Sequence, residues 1–281
     1  MRYKARRVLA GAVAAAALGA WVAGQAGVAA ASPVARQAAA GPRLGVTLAP
    51  GVVYQPAGRN LTFGMHGPAI RALQQRLNYL HYYAGKPNGY FGWDVMEAVW
   101  AFKEVQAGEM IPPKPDVVGS IMQRELRHPK LPPVLHRRGG PSRVEVNKNL
   151  EVLVVYRDNK QVLISHTSTA AYNRPDGSGW VTPDGQYRAL EFLPGCVPDA
   201  AFGGCMYNPV FFIGTAFAIH GMPNPTSTYS GDGVPLNPAS HGCVRIPLDI
   251  SRFLHTLIRV GAHGSPVFVD GPNYYGSGAF Q

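Results

Sequence analysis

The sequence predicts an α+β chain of more than one domain, with a small three-helix N-terminal domain followed by a mainly antiparallel β-sandwich or barrel carrying one helix. Three observations predict it. Apolar residues recur at helical spacing between Leu61 and His128, and from Arg143 onward the period shortens to two. The 281 residues include 33 Gly and 25 Pro, a composition of turns and short strands rather than of a helical bundle. Only Leu248 to Val260 returns to the helical period later in the chain. Hydrophobic residues make up 46%, enough to fill cores and to exclude chain-wide disorder.

The chain opens as an export signal, residues 1–31. Arg2, Lys4, Arg6 and Arg7 form a basic start, Val8 to Ala30 is almost wholly apolar and small, and Ala29 and Ala31 supply a cleavage pattern ending after Ala31. An uncleaved anchor remains open, since the apolar run is long enough to span a bilayer. With cleavage, membrane contact is transient, through this segment only. The formal charge of +10 falls by the four signal-segment cations to about +6. A basic exported protein suits an anionic envelope. Scattered Lys and Arg without a recognition motif argue against nucleic acid as a partner.

Residues 32–60 are rich in Ala, Gly and Pro and read as a linker. In 61–128, Ile70, Leu73, Leu77 and Leu80 share one helix face. Asp94 with Glu97, and Ser120 with Gln123, have the spacing of capping boxes opening two further helices. Between the first two helices lies the aromatic, glycine-rich loop 81–92. Residues 129–142, with Pro132, Pro133 and Gly139-Gly140-Pro141, read as a second linker.

In 143–270, Val144 and Val146 alternate with polar neighbours, and Leu150–Tyr156 and Gln161–Ser165 read as strands joined by a turn at Asp158-Asn159-Lys160. Thr182-Pro183-Asp184-Gly185 is a turn before the strand at 186–188. Val210–His220 reads as one β-rich run and Val267–Val269 as a last strand. The single helix turns Ile250, Phe253, Leu254, Leu257 and Ile258 inward and stops at Gly261. Residues 271–281 are a tail.

Three cysteines are present, Cys196, Cys205 and Cys243. In an oxidising compartment an odd count implies one bridge and one free thiol. Cys196 and Cys205 are close together in a Gly/Pro-rich stretch and are expected to pair, which leaves Cys243. That thiol sits in Ser240-His241-Gly242-Cys243-Val244-Arg245. A cysteine nucleophile attacks as thiolate and needs a base or a lowered pKa, for which His241 and the upstream His220 are candidates. Gly242 permits close backbone approach, and N–H groups at Gly242 and Cys243 could form an oxyanion hole. Each residue also has a plainer reading. Cys243 alone could be a small buried hydrophobe, His220 a satisfied strand-end histidine, and His241 with Cys243 two ligands of a zinc site. Against zinc, no Cys-x-x-Cys or His-x-x-x-His spacing is present.

Two resemblances sharpen this reading. Gly64 and Gly67, Leu73-Gln74, Leu77, Leu80 to Tyr83, Asn88-Gly89, Phe91-Gly92, Ala98-Val99, Phe102, Val117 to Gly119 and Leu126 resemble a three-helix peptidoglycan-binding module. Lys103, where that family often has Gln, and the proline-rich 111–115 depart from it. Ser240-His241-Gly242-Cys243-Val244-Arg245 with His220-Gly221 resembles the signature of YkuD-type L,D-transpeptidases, over about Val144 to Asp270. That likeness implies an exported enzyme with Cys243 as nucleophile and His220 as base, its imidazole oriented by the Gly221 carbonyl. Ser240, His241 and Gly242 would shape the pocket and oxyanion hole, and Arg245 would hold a substrate carboxylate. It implies peptidoglycan stem peptides as donor and acceptor, covalent inhibition by carbapenem-type β-lactams, and no cofactor or metal. Two features depart from the family. The stretch from His220 to Ser240 is longer than usual, with Pro223, Pro225 and Pro235, and could bulge outward without moving either end, and Ser168-Thr169-Ala170 stands where a Gly is common. An L,D-carboxypeptidase with water as acceptor, attachment of another envelope protein to the wall, and a non-catalytic wall-binding protein are the rival readings.

Overall fold

A computed structural model describes residues 54–172, 180–199, 201–272 and 274–275. The expected export segment and most of the 32–60 linker lie outside the described residues, as does most of the tail. The helical segment opens with β1 (Leu61–Thr62) and α1 (Pro68–Tyr79), continues with α2 (Trp93–Ala107), β2 (Val117–Val118) and α3 (Ser120–Glu125), and is closed by antiparallel pairing of β1 with β2. Pro68 fits the first turn of α1, where its missing N–H has no intrahelical partner to lose. α1 buries Ile70, Leu73 and Leu77, while α2 is buried on nearly every side from Val95 to Gln106.

Neither expected capping box forms. α2 and α3 begin one residue before Asp94 and at Ser120, with Gly92 and Gly119 as N-caps and no side-chain cap. The acid and amide of each motif therefore fall inside the helix, beyond the exposed N–H groups. Glu97 is instead buried, and Gln123 donates to the carbonyls of Arg59 (2.7 Å) and Val118 (3.0 Å) and accepts the Ala57 N–H (2.7 Å).

The rest of the chain forms two five-stranded sheets. The first takes β3 (Arg143–Asn147), β4 (Val152–Arg157), β5 (Lys160–His166), β7 (Gly185–Arg188) and β13 (Pro266–Asp270), in the order β5-β4-β3-β13-β7. Only β3 and β13 run parallel in it. Asp158 and Asn159 both have positive φ (52° and 58°), the geometry of a tight two-residue hairpin between β4 and β5. The second sheet takes β8 (Glu191–Phe192), β9 (Cys196–Pro198), β10 (Cys205–Ile213), β11 (Phe217–Met222) and β12 (Val244–Pro247). Its pairs are antiparallel except β11 with β12. A short parallel pair joins β6 (Ala171–Tyr172) to β14 (Tyr274–Tyr275). The expected single run Val210–His220 is a hairpin, because the chain turns at Gly214 (φ +51°) between β10 and β11.

Val144, Val146, Leu153, Val155 and Leu163 of the first sheet pack with Val210, Ile219, Val244 and Ile246 of the second. Helix α4 (Leu248–Leu257) adds Ile250, Leu254 and Leu257 to that core. It stops earlier than expected, at Ile258 in extended backbone rather than at Gly261, whose N–H instead bonds Ala189 O (3.0 Å). A second core is shared between the helices and the back of the first sheet: Leu73, Val99, Trp100 and Phe102 cluster with Val152, Val154, Tyr156, Ile164 and Leu236. β5 is an edge strand, and the helical segment covers that edge: Ile164 N–H donates to His81 O at 2.8 Å. Residues 135 and 136 are tied to the same sheet, their N–H groups donating to the Glu145 carboxylate (2.9 and 3.1 Å).

Candidate active site

The parallel pair β11–β12 brings the expected residues together. His220 is in register with Arg245, and Gly221 with Ile246. Side chains two apart on a strand share a face, so Ala218 and His220 point to the same side of β11. Cys243 enters β12 beside Ala218, whose N–H donates to Sγ at 3.4 Å. Cys243, His220 and Arg245 thus line one cavity of about 760 Å³, a volume suited to a ligand of small-molecule size. The long excursion between His220 and Ser240 leaves both ends in place.

The imidazole of His220 has a defined tautomer. Its Nδ1 lies 3.1 Å from the Gly221 carbonyl, which can only accept, so Nδ1 carries the proton and Nε2 presents a lone pair. Burial lowers the His220 pKa to about 4, against a smaller opposite effect of the Gly221 hydrogen bond. Burial also raises the Cys243 thiol above its ordinary value, only partly offset by the Ala218 N–H. Sequence reasoning anticipated an ionised thiol beside the imidazole. Desolvation acts the other way on both groups, favouring the neutral thiol and the neutral imidazole.

Ser240 organises the turn that carries the thiol. Its Oγ donates to Cys243 O (2.6 Å) and accepts the Gly242 N–H (3.1 Å). The Gly242 N–H is therefore already committed, and of the two expected oxyanion donors the Cys243 N–H is left as the candidate. Gly242 has φ +138°, and a Cβ there would run into the Phe217 ring, so glycine is required. Arg245 is nearly buried, and its Nη1 donates to Gly231 O (3.0 Å) and Gly233 O (3.4 Å). That nitrogen holds the 223–239 loop rather than a ligand, while the residue still lines the cavity.

The His241 ring stacks on Phe202 (centroids 3.9 Å apart, interplanar angle 6°) and meets the edge of Trp180 (5.6 Å). The three rings make an aromatic wall of the cavity. Phe202 is carried by the turn between β9 and β10, which the Cys196–Cys205 disulfide ties at its base. The bridge forms as expected, so those two sulfurs are not available to a metal. Among the described residues no group of three His, Cys, Asp or Glu is placed to hold one.

Several residues of this region carried no sequence signal. The 223–239 loop does not bulge outward: Val234 and Leu236 are fully buried, and Thr228 Oγ1 donates to Asp116 Oδ2 (3.2 Å) beside α2. The 168–171 segment, where the resembling family commonly has Gly, zips against the strand that follows Cys243, with Ser168 and Arg245 exchanging backbone hydrogen bonds at 3.1 Å each. A fully buried His166 reaches from Glu104 Oε1 on α2 (2.9 Å) to Pro235 O (2.9 Å). Trp180 and Phe202 were also missed. The one available hint was an unbroken polar run, Ser165 to Thr169, continuing an apolar strand.

A thiol and a neutral imidazole on neighbouring parallel strands, inside a cavity, form an arrangement suited to acyl transfer. Residues 141–269 match the family of L,D-transpeptidase catalytic domains, and residues 66–107 match the peptidoglycan binding domain family. Residues 141–269 are thus similar to a YkuD-type L,D-transpeptidase catalytic domain, and the segment before them to a peptidoglycan-binding domain. Among solved structures it is similar to an L,D-transpeptidase from Xylanimonas cellulosilytica, 29% identical over 77% of this chain and 100% of that chain, with a TM-score of 0.62. An L,D-transpeptidase from Stackebrandtia nassauensis is 17% identical over 76% and 98% of the two chains, with a TM-score of 0.40. One from Mycobacterium tuberculosis is 16% identical over 47% and 58%, with a TM-score of 0.35. No curated protein matches the sequence.

Proposed function

We propose that this protein is an exported, wall-associated L,D-transpeptidase that acts through a thioester on Cys243. The observation that carries the reading is the His220 tautomer, fixed by the Gly221 carbonyl on the strand beside the thiol. In the first half-reaction the thiol attacks the carbonyl of the third residue of a tetrapeptide stem while its proton passes to His220 Nε2. The tetrahedral oxyanion takes a hydrogen bond from the Cys243 N–H; one such donor contributes about 3–4 kcal/mol in comparable sites. The C–N bond then breaks, His220 returns the proton to the departing amine, and D-Ala leaves.

In the second half-reaction a side-chain amine of a neighbouring stem attacks the thioester, His220 takes its proton, and the thiol is regenerated with a 3→3 crosslink formed. No cofactor enters, because the donor peptide bond supplies the energy of the new one. Arg245 stabilises negative charge on the sulfur as it develops and, with its remaining guanidinium nitrogens, attracts a stem carboxylate. Phe202, His241 and Trp180 give the stem an apolar wall. The helical segment holds the enzyme on the polymer and raises local substrate concentration. Carbapenem-type β-lactams, as strained acyl donors, are expected to acylate the same sulfur.

Incubation with a purified disaccharide tetrapeptide, followed by mass analysis, tests the proposal. Crosslinked dimer with released D-Ala is expected. Tripeptide with D-Ala but no dimer would make water the acceptor and the protein an L,D-carboxypeptidase, and intact tetrapeptide would leave a wall-binding protein.

A further inference from the structure

Most buried ionisable groups outside the mechanism belong to the shared core, but one is wired to the nucleophile. Glu151 lies in the turn between β3 and β4, with φ +52° and 1% exposure. Its two oxygens accept both donors of a single residue: Oε2 takes the Thr169 N–H (2.5 Å) and Oε1 the Thr169 Oγ1–H (2.6 Å). The Thr169 carbonyl in turn accepts the N–H groups of Ala239 (3.0 Å) and Ser240 (2.9 Å). Ser240 holds both Gly242 and Cys243. A continuous hydrogen-bonded path therefore runs from a buried carboxyl to the residue that carries the thiol.

We infer that Glu151 is a positioning residue: by clamping Thr169 it fixes the Ala239–Cys243 turn and so the aim of the Cys243 sulfur. The inference rests on the transpeptidase reading for its turnover effect, though not for the geometry. Two features favour it over simple packing. An acid is a costly choice for a fully buried turn, and an apolar residue would fill the space without needing two donors. Burial raises its pKa to about 7, against the opposing hydrogen bonds from the Thr169 side chain and N–H. Such perturbed groups concentrate where geometry serves chemistry. Glu151 is the acceptor of the Thr169 N–H and hydroxyl, whereas the flanking contacts, between Ser168 and Arg245 and from Ala171 N–H to Ser240 O, hold the neighbouring residues of the segment.

The test uses the full chain in three variants. Thr169→Val removes the hydroxyl at nearly constant shape, Thr169→Ser restores it, and Glu151→Gln keeps one acceptor oxygen. D-Ala release gives kcat and KM, iodoacetamide gives the Cys243 alkylation rate, and thermal melts confirm folding at the assay temperature. Thr169→Val is expected to lose roughly 100-fold in kcat with KM nearly unchanged, the order of effect of an ångström-scale misplacement. Glu151→Gln should lose on the order of 10-fold, and Thr169→Ser should recover most of the rate. The folded Val variant should alkylate faster than the parent at pH 7, because loosening the turn relieves the burial that raises the thiol pKa. A slower kcat with faster alkylation in a folded protein supports the assignment. Wild-type kcat and alkylation in folded Thr169→Val and Glu151→Gln would overturn it. If the parent releases no D-Ala, the transpeptidase reading fails by itself, and the alkylation comparison still decides the role of Glu151.

Discussion

Glu104→Gln probes the buried contact that joins the helical segment, through His166, to the 223–239 loop. His166 Nε2 faces Pro235 O, an acceptor, so that nitrogen carries a proton. Burial lowers the His166 pKa to about 4, so the ring is neutral near pH 7 and its Nδ1 is an acceptor. Glu104 Oε1, 2.9 Å away, must then be the donor and must be protonated. Burial, which raises the Glu104 pKa well above its ordinary 4.5, points the same way. Gln reproduces that arrangement, with its amide N–H replacing the O–H. Unfolding the parent at pH 7 lets this carboxyl ionise at its ordinary value, which favours the unfolded state by about 3 kcal/mol, and Gln removes that drain. A group whose pKa is raised on folding stabilises below its unfolded value and loses that contribution as pH rises. The variant should therefore be more stable than the parent at pH 7, by at most about 3 kcal/mol, with the gain vanishing as pH falls through 4.5. The assay is urea unfolding at constant m between pH 4 and 7.5. A buried ion pair instead predicts a loss of about 3–5 kcal/mol at pH 7, and that result would refute the reasoning.

Three further outcomes follow from the same geometry. Because burial holds His220 neutral down to about pH 4, kcat/KM for D-Ala release should keep its acid limb near pH 4; a limb near 6.5 would contradict a buried base. Gly242→Ala forces a Cβ into the Phe217 ring at φ +138°, and is expected to cost about 1–3 kcal/mol in stability and at least roughly tenfold in kcat/KM, read by melting and turnover. Replacing Cys196 and Cys205 together by Ser opens a closure of 9-residue separation, lowers stability by about 2–3 kcal/mol and loosens the Phe202–His241 stack. Unchanged turnover in that variant would show that this loop has no part in shaping the cavity.

The parts of the fold that were legible in the sequence are those written in local pattern. The alternation of Val144 and Val146, the Asp158-Asn159 turn and the α4 face are local signals, and each lies within a residue or two of its expected place. The turn that carries Cys243 was legible for the same reason, since Ser240 to Arg245 are consecutive. His220 was reachable because parallel pairing with the strand after Cys243 needs only a long connection, which the chain supplies. What stayed hidden is long-range. The capping spacings at Asp94 and Ser120 are real, but glycines set the helix starts, and Glu97 and Gln123 were drawn into tertiary contacts. The 223–239 loop looks solvent-bound from its Pro, Gly and Ser, yet Val234 and Leu236 find the helices. A helix bearing Glu97, Lys103 and Glu104 reads as one with a solvated face, and only the position of β5 and the loop makes α2 interior. The pKa directions were likewise invisible, since composition cannot report how dry a thiol becomes.

The central claim is that Cys243 becomes acylated. Intact-mass analysis of the protein quenched during turnover with donor tetrapeptide tests it most directly. The parent should gain the mass of the donor less D-Ala, the fragment map should place it on the peptide containing Cys243, and Cys243→Ala should show neither the adduct nor D-Ala release. Undiminished release from Cys243→Ala, or an acyl group mapped to a different residue, would contradict the account.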